Sequence, residues 1–88
     1  MTKEIYVLTK HAKQQMSLRQ IPERWVKAAM ARPQQIVPGL GKKKIYQSEF
    51  KQRKTVYLLR VVVDDQGKLP VVITVYRTTN IAKYWKKS

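Results

Sequence analysis

Pro33 divides this chain into two parts that follow different periods. Upstream, in IPERWVKAAMARP, Val26, Ala29 and Met30 recur at helical spacing with Trp25 beside them. Downstream, the runs QQIV, KKKIYQSEF, KTVYLLRVVVDD and LPVVITVYR are rich in Val, Ile, Tyr and Thr, the residues that suit a pleated, half-buried surface. Pro38-Gly39, Gly41, the polar stretch Gln52 to Lys54 and Gln66-Gly67 punctuate them. The last two runs are nearly continuous in apolar residues, so they read as central strands joined by a hairpin through DDQGK. Helices first and strands afterwards predict an α+β domain: two N-terminal helices, then an antiparallel sheet of about four strands.

The first helix is expected over Lys10 to Leu18, with Thr9 as its N-cap and Ala12 and Met16 on one face. Ile21-Pro22 ends it and opens the second helix, where proline is tolerated and Glu23 suits the helix dipole. EIYVL, near the N-terminus, reads as an edge strand or an extended arm, and TTNIAKYWKKS as a short helix or an extended tail. No linker or repeat interrupts residues 1–88, and 43% hydrophobic content is enough for one two-layer core. One domain is therefore expected. No run approaches the roughly 18 apolar residues of a membrane span, and the N-terminus lacks the pattern of a signal peptide. The expectation is a soluble cytoplasmic protein without a membrane partner.

Charge narrows the partner. Nineteen Lys and Arg against five Asp and Glu give a formal net charge of +14, far beyond what solubility requires. The excess is spread along the chain, with local clusters at Lys42 to Lys44 and Lys83 to Lys87. A folded basic surface for a polyanion, RNA above all, is the implication. The absence of cysteine removes disulfides, thiol nucleophiles and thiolate metal sites. Asp64 and Asp65 sit where a hairpin turns, and Glu4, Glu23 and Glu49 are scattered. A metal nuclease needs several converging acids, so cleavage of RNA by this chain is expected to need neither metal nor cofactor.

Among the residues left for chemistry, His11 is the only histidine, and histidine is the side chain that ordinarily titrates near neutral pH. On a helix it shares a rim with Gln15, Leu18 and Arg19, where a partly buried structural histidine is the competing reading. Arg60 interrupts the apolar run VYLLRVVV, and Tyr76 and Arg77 end the last strand. An even hairpin loop would put Arg60 and Arg77 on one sheet face, an odd one on opposite faces. Such a cluster can hold a phosphate and move protons around it. It can equally bind RNA uncut, with Tyr46, Tyr57, Tyr76, Tyr84 and Trp85 as stacking platforms, although most of those rings are expected in the core.

The order of these landmarks resembles one family. TKHA at Thr9 to Ala12, then Met16, Arg19, Ile21, Val26 and Pro33, a strand with Tyr46, LRVVV at Leu59 to Val63, VVITVYRT at Val71 to Thr78 and KYW at Lys83 to Trp85 are similar to the domain of unknown function 4258 family. That family is grouped with the RelE-like toxins and the wider barnase, EndoU, colicin and RelE ribonucleases. The resemblance implies helices on a twisted antiparallel sheet, RNA cleavage by attack of the ribose 2′-hydroxyl on the adjacent phosphate, and an acidic antitoxin or the ribosome as a partner besides RNA. It matches His11 to the family's helix histidine, Arg19 to the arginine after it, Arg60 to the strand arginine, and Thr74 and Tyr76 to the final-strand T-x-Y. Two positions depart from the pattern: Gln15 where arginine is usual before the helix methionine, and Gln20-Ile21-Pro22 before the second helix.

The resulting expectation is a small toxin-type ribonuclease. In it His11 acts as acid or base, Arg60 and Arg77 hold phosphate, and Tyr76 orients or shares a proton. Arg19, Lys42, Lys43, Lys44, Lys83 and Tyr84 contact RNA. A non-catalytic nucleic-acid-binding module, or a basic partner of an acidic antitoxin, is the alternative.

Overall fold

In the computed structural model, which describes residues 6–87, a single threonine ties the helical part to the sheet. The Thr9 hydroxyl accepts from the Ala12 amide at 3.0 Å, capping helix α1 (Lys10–Leu18), and donates to the Ile73 carbonyl at 3.0 Å. Helix α1 closes with two bonds, from the Gln20 amide to the Ser17 carbonyl (3.2 Å) and from the Ile21 amide to the Met16 carbonyl (2.9 Å). This closure needs a left-handed residue after the cap, and Gln20 supplies it at φ 52. A side chain there costs about 1–2 kcal/mol, partly offset because glycine is the freer residue when unfolded. Gln20→Gly is therefore expected to raise unfolding free energy by about 0.5–1 kcal/mol in urea titration. Helix α2 (Glu23–Ala31) follows, with Pro22 at its N-cap and Glu23 in its first turn.

The sheet contains β1 (Val7–Leu8), β2 (Gln35–Pro38), β3 (Lys44–Gln52), β4 (Thr55–Asp64) and β5 (Val71–Thr78), in the order β1-β5-β4-β3-β2. Strands β2 to β5 form the expected antiparallel meander. The sheet nevertheless has five strands and is mixed, not four and antiparallel. Part of the EIYVL run joins it beside β5 in parallel register, Val7 opposite Val71 and Leu8 opposite Val72. Residues 4 and 5 of that run lie outside the described residues. The parallel pairing follows from the path: after β1 the chain crosses through both helices to the far edge and returns strand by strand. A short helix, α3 (Ile81–Tyr84), and an extended tail complete the fold. Among the described residues no helix is long and apolar enough to cross a membrane.

Both helices cover one face. Ala12, Ile21, Trp25, Val26 and Ala29 meet Leu59, Val61, Val63, Val72 and Val75, with Tyr46, Phe50 and Tyr57 packed at the margin. Alternation along β4 sends Leu58, Arg60 and Val62 to the opposite face. One irregularity sets which residues of β5 accompany them. Val62 pairs with Thr74 but Val63 pairs with Val72, so Ile73 is an extra residue, a β-bulge, and its carbonyl is the one Thr9 holds.

Candidate functional site

On the face away from α1 and α2, four adjacent strands each contribute one polar side chain in register. Gln35 stands opposite Gln47, Gln47 opposite Arg60, and Arg60 opposite Tyr76. Hydrogen bonds join them. Gln47 Nε2 donates to Gln35 Oε1 (2.8 Å), Arg60 Nε donates to Gln47 Oε1 (2.9 Å), and Arg60 Nη1 donates to the Tyr76 hydroxyl (2.6 Å). Gln47 is fully buried and Arg60 is only 7% exposed.

The tail docks across this row. Gln47 Nε2 also donates to the Tyr84 carbonyl (3.2 Å), while Gln35 donates to the Lys86 carbonyl (2.7 Å) and accepts from the Lys86 amide (3.1 Å). The Tyr84 ring lies 4.1 Å from the Arg60 guanidinium carbon, with Lys83 Nζ 5.3 Å from the ring centre. Two cations therefore share one aromatic ring, an attraction that strengthens when water is excluded. Leu58, fully buried yet outside the helix-side core, lies on this same face.

Burying a guanidinium is costly unless an opposite charge or hydrogen bonds compensate it. Here the compensation is neutral. The one ion pair among the described residues joins Lys44 to Asp65 at 3.1 Å, so Arg60 has no carboxylate partner there. Its Nη2 makes no hydrogen bond to the described residues, yet no buried side-chain nitrogen or oxygen is unsatisfied among them. Nη2 therefore keeps an opening to solvent. A positive charge fixed by a buried glutamine and a tyrosine, with donors left over, suits an anion with several acceptor oxygens.

Arg77 lies on the other face. The loop between paired Asp64 and Val71 has an even length, residues 65 to 70, which alone predicts a shared face with Arg60. The bulge at Ile73 reverses that parity, and Arg77 pairs with Leu59 of the helix-side core. There its guanidinium packs over Tyr57 (4.4 Å) and Trp25 (5.6 Å) and donates to Gln52 (3.2 Å). His11 is exposed on α1, so the sheet separates its helix from Arg60. Arg19, also exposed, caps α1 and donates to Gln15 Oε1 (2.8 Å). Thr74 faces the Arg60 side through its pairing with Val62. Lys42 and Lys43 are exposed in the turn before β3, and Lys44 opens that strand. The fold thus brings together Arg60, Tyr76, Lys83 and Tyr84, and leaves His11, Arg19 and Arg77 on the helix side.

Of the aromatic platforms, Tyr46 and Tyr57 belong to the helix-side core and Trp85 is half-buried in the tail. Burial, then the neighbouring Asp65, pushes the Tyr46 phenol above its ordinary pKa. Sequence reasoning passed over Gln35, Gln47 and Glu49. The available signal was the alternation of β3, which puts Ile45, Gln47, Glu49 and Lys51 on one face. Glu49 pairs with Leu58, which makes it the diagonal neighbour of Arg60 on that face, a spacing of about 7–8 Å between backbones. No three His, Asp or Glu side chains converge among the described residues.

No curated protein and no solved structure matches this chain. Residues 8–77 match a domain of unknown function, DUF4258, and the chain belongs to that family.

Proposed function

We propose that this protein acts on RNA as a metal-independent endoribonuclease of toxin type, with its working surface on the sheet face opposite the two helices. The observation that carries the reading is the buried Arg60 guanidinium, which has no carboxylate partner among the described residues and is fixed in place by Gln47 and Tyr76. Transesterification places extra negative charge on the phosphate as the 2′-oxygen attacks. A fixed guanidinium stabilises that charge without having to reorganise. Glu49, exposed and diagonal to Arg60, takes the 2′-hydroxyl proton. The Tyr76 hydroxyl accepts from Arg60, so its own proton is free to protonate the leaving 5′-oxygen. Tyr84 and the tail lysines hold the strand by stacking and charge.

Incubation of the purified protein with a mixed RNA pool in EDTA, followed by sequencing of the ends, tests this. Cleavage that Glu49→Gln reduces supports it, and intact RNA rejects it. Binding should be salt-dependent. If about four to six phosphates are neutralised, log affinity falls against log salt with a slope of about −4 to −5 for duplex and about −3 to −4 for single strands. His11→Ala is expected to leave cleavage within a few-fold of the parent, because the sheet lies between α1 and Arg60.

One observation favours a second reading, a non-catalytic RNA-binding module: the tail already covers Arg60 with Tyr84. Retained affinity with no cleavage identifies that case.

A further inference from the structure

The strand at the opposite edge from β1 has a second set of recognition features. Among the described residues strand β2 pairs with β3 alone, so its outer backbone edge has no strand partner there. Ile36 in the strand is 50% exposed, and Leu40 just after it is 88% exposed. Two shallow depressions of about 340 and 190 Å³ border the strand. Lys42, Lys43 and Lys44 line the first, Lys86 and Lys87 the second, and both share Ile36 and Val37. Of the five lysines only Lys44 has a carboxylate partner among the described residues, Asp65.

We propose that β2 is a docking edge for an acidic, extended segment of a partner protein, which adds to the sheet as a further strand. A free strand edge recognises another backbone by main-chain hydrogen bonds, and side chains on alternate positions supply selectivity. At this edge the selective elements are lysines at both ends and an apolar step, Ile36, between them. Lysines and a proline at an edge also keep unwanted strands away. For a chain of net charge +14 they repel a second copy and any basic strand, while an acidic strand is attracted. A nucleic acid would satisfy the lysines but has no use for the backbone edge or Ile36, so a peptide fits better. The surface meets the Arg60 row only at Gln35 and Lys86 and does not depend on RNA cleavage.

The test uses the full chain and a fluorescein-labelled octapeptide of alternating glutamate and valine with blocked ends. Anisotropy measures affinity, and amide NMR shifts locate the contact. Expected are shifts at residues 35–37 and 42–44, at least tenfold weaker binding to the double variant Lys42→Glu, Lys43→Glu, and an equal loss when alternate peptide amides are N-methylated. Arg60→Met should bind the peptide as the parent does, whatever happens to RNA. The proposal is overturned by no binding, by undiminished affinity for the N-methylated peptide, by shifts confined to the Arg60 face, or by an octauridylate producing the same shifts at residues 35–37. Sedimentation showing self-association that Ile36→Lys abolishes would assign the edge to a second copy instead.

Discussion

Replacing Arg60 with methionine is expected to lower RNA cleavage by roughly 10²- to 10³-fold, the scale for removing one preorganised donor from a developing oxyanion. RNA affinity should fall by about ten-fold or more, since hydrogen bonds to a charged group contribute about 1.5–3 kcal/mol. Stability should respond quite differently. Methionine fills a similar volume, and removing a buried charge in favour of an apolar group is often neutral or stabilising. Against that, the Gln47 Oε1 acceptor loses its Arg60 donor, at a cost of about 1–3 kcal/mol. The net change is expected within about 2 kcal/mol of zero. Urea denaturation beside a cleavage assay separates the two effects. A variant that unfolds by several kcal/mol but cleaves normally when folded would show that Arg60 holds the sheet and does not serve RNA.

The second large effect belongs to the other face. Trp25→Ala should destabilise the domain by about 3–5 kcal/mol, the usual cost of truncating a buried aromatic to alanine. Trp25 is 3% exposed and stacks on Phe50 with ring centres 5.0 Å apart. It also leans on Tyr57 at 6.1 Å and supports Arg77 at 5.6 Å, so its loss loosens α2, β3, β4 and β5 together. For a domain of this size each kcal/mol moves the melting temperature by about 4–8 °C, and a drop of at least about 12 °C is expected in calorimetry. Trp25→Phe should recover most of it, because a ring still fills the site. A drop of only a few degrees for the alanine variant would mean that the helices are held elsewhere.

Local signals in the sequence were sufficient for local structure. Thr9, Pro22 and Pro33 mark the ends of the helices because capping and proline geometry act within a few residues. The Val- and Ile-rich runs mark the strands for the same kind of reason. The parallel partner of β5 was not legible, because EIYVL carries no information about which distant strand it meets. The site was legible in part. Arg60 stands out as a charge in an apolar run, and Tyr76 as a final-strand hydroxyl. Gln47 looks like any polar residue of a half-exposed strand, and only its register opposite Arg60 reveals that it is buried to orient a cation. His11 was singled out by residue type. Type says nothing about side, and the side is decided by which face the helices cover.

The bulge at Ile73 makes the assignment of side chains in β5 a matter of counting. Were Ile73 paired opposite Val62 with no bulge, Tyr76 would stand opposite Leu59 on the helix side and Arg77 opposite Leu58 on the Arg60 face. Smoothing the bulge, with no residue lost, would thus exchange a tyrosine-arginine surface for a double-arginine one, whereas deleting Ile73 would leave Tyr76 opposite Arg60. The brake on that exchange is Thr9, whose hydroxyl holds the bulged carbonyl while capping α1. Chains of this architecture can therefore trade one face for another by shifting register across the bulge at constant length, provided the first helix finds a new anchor at the same time.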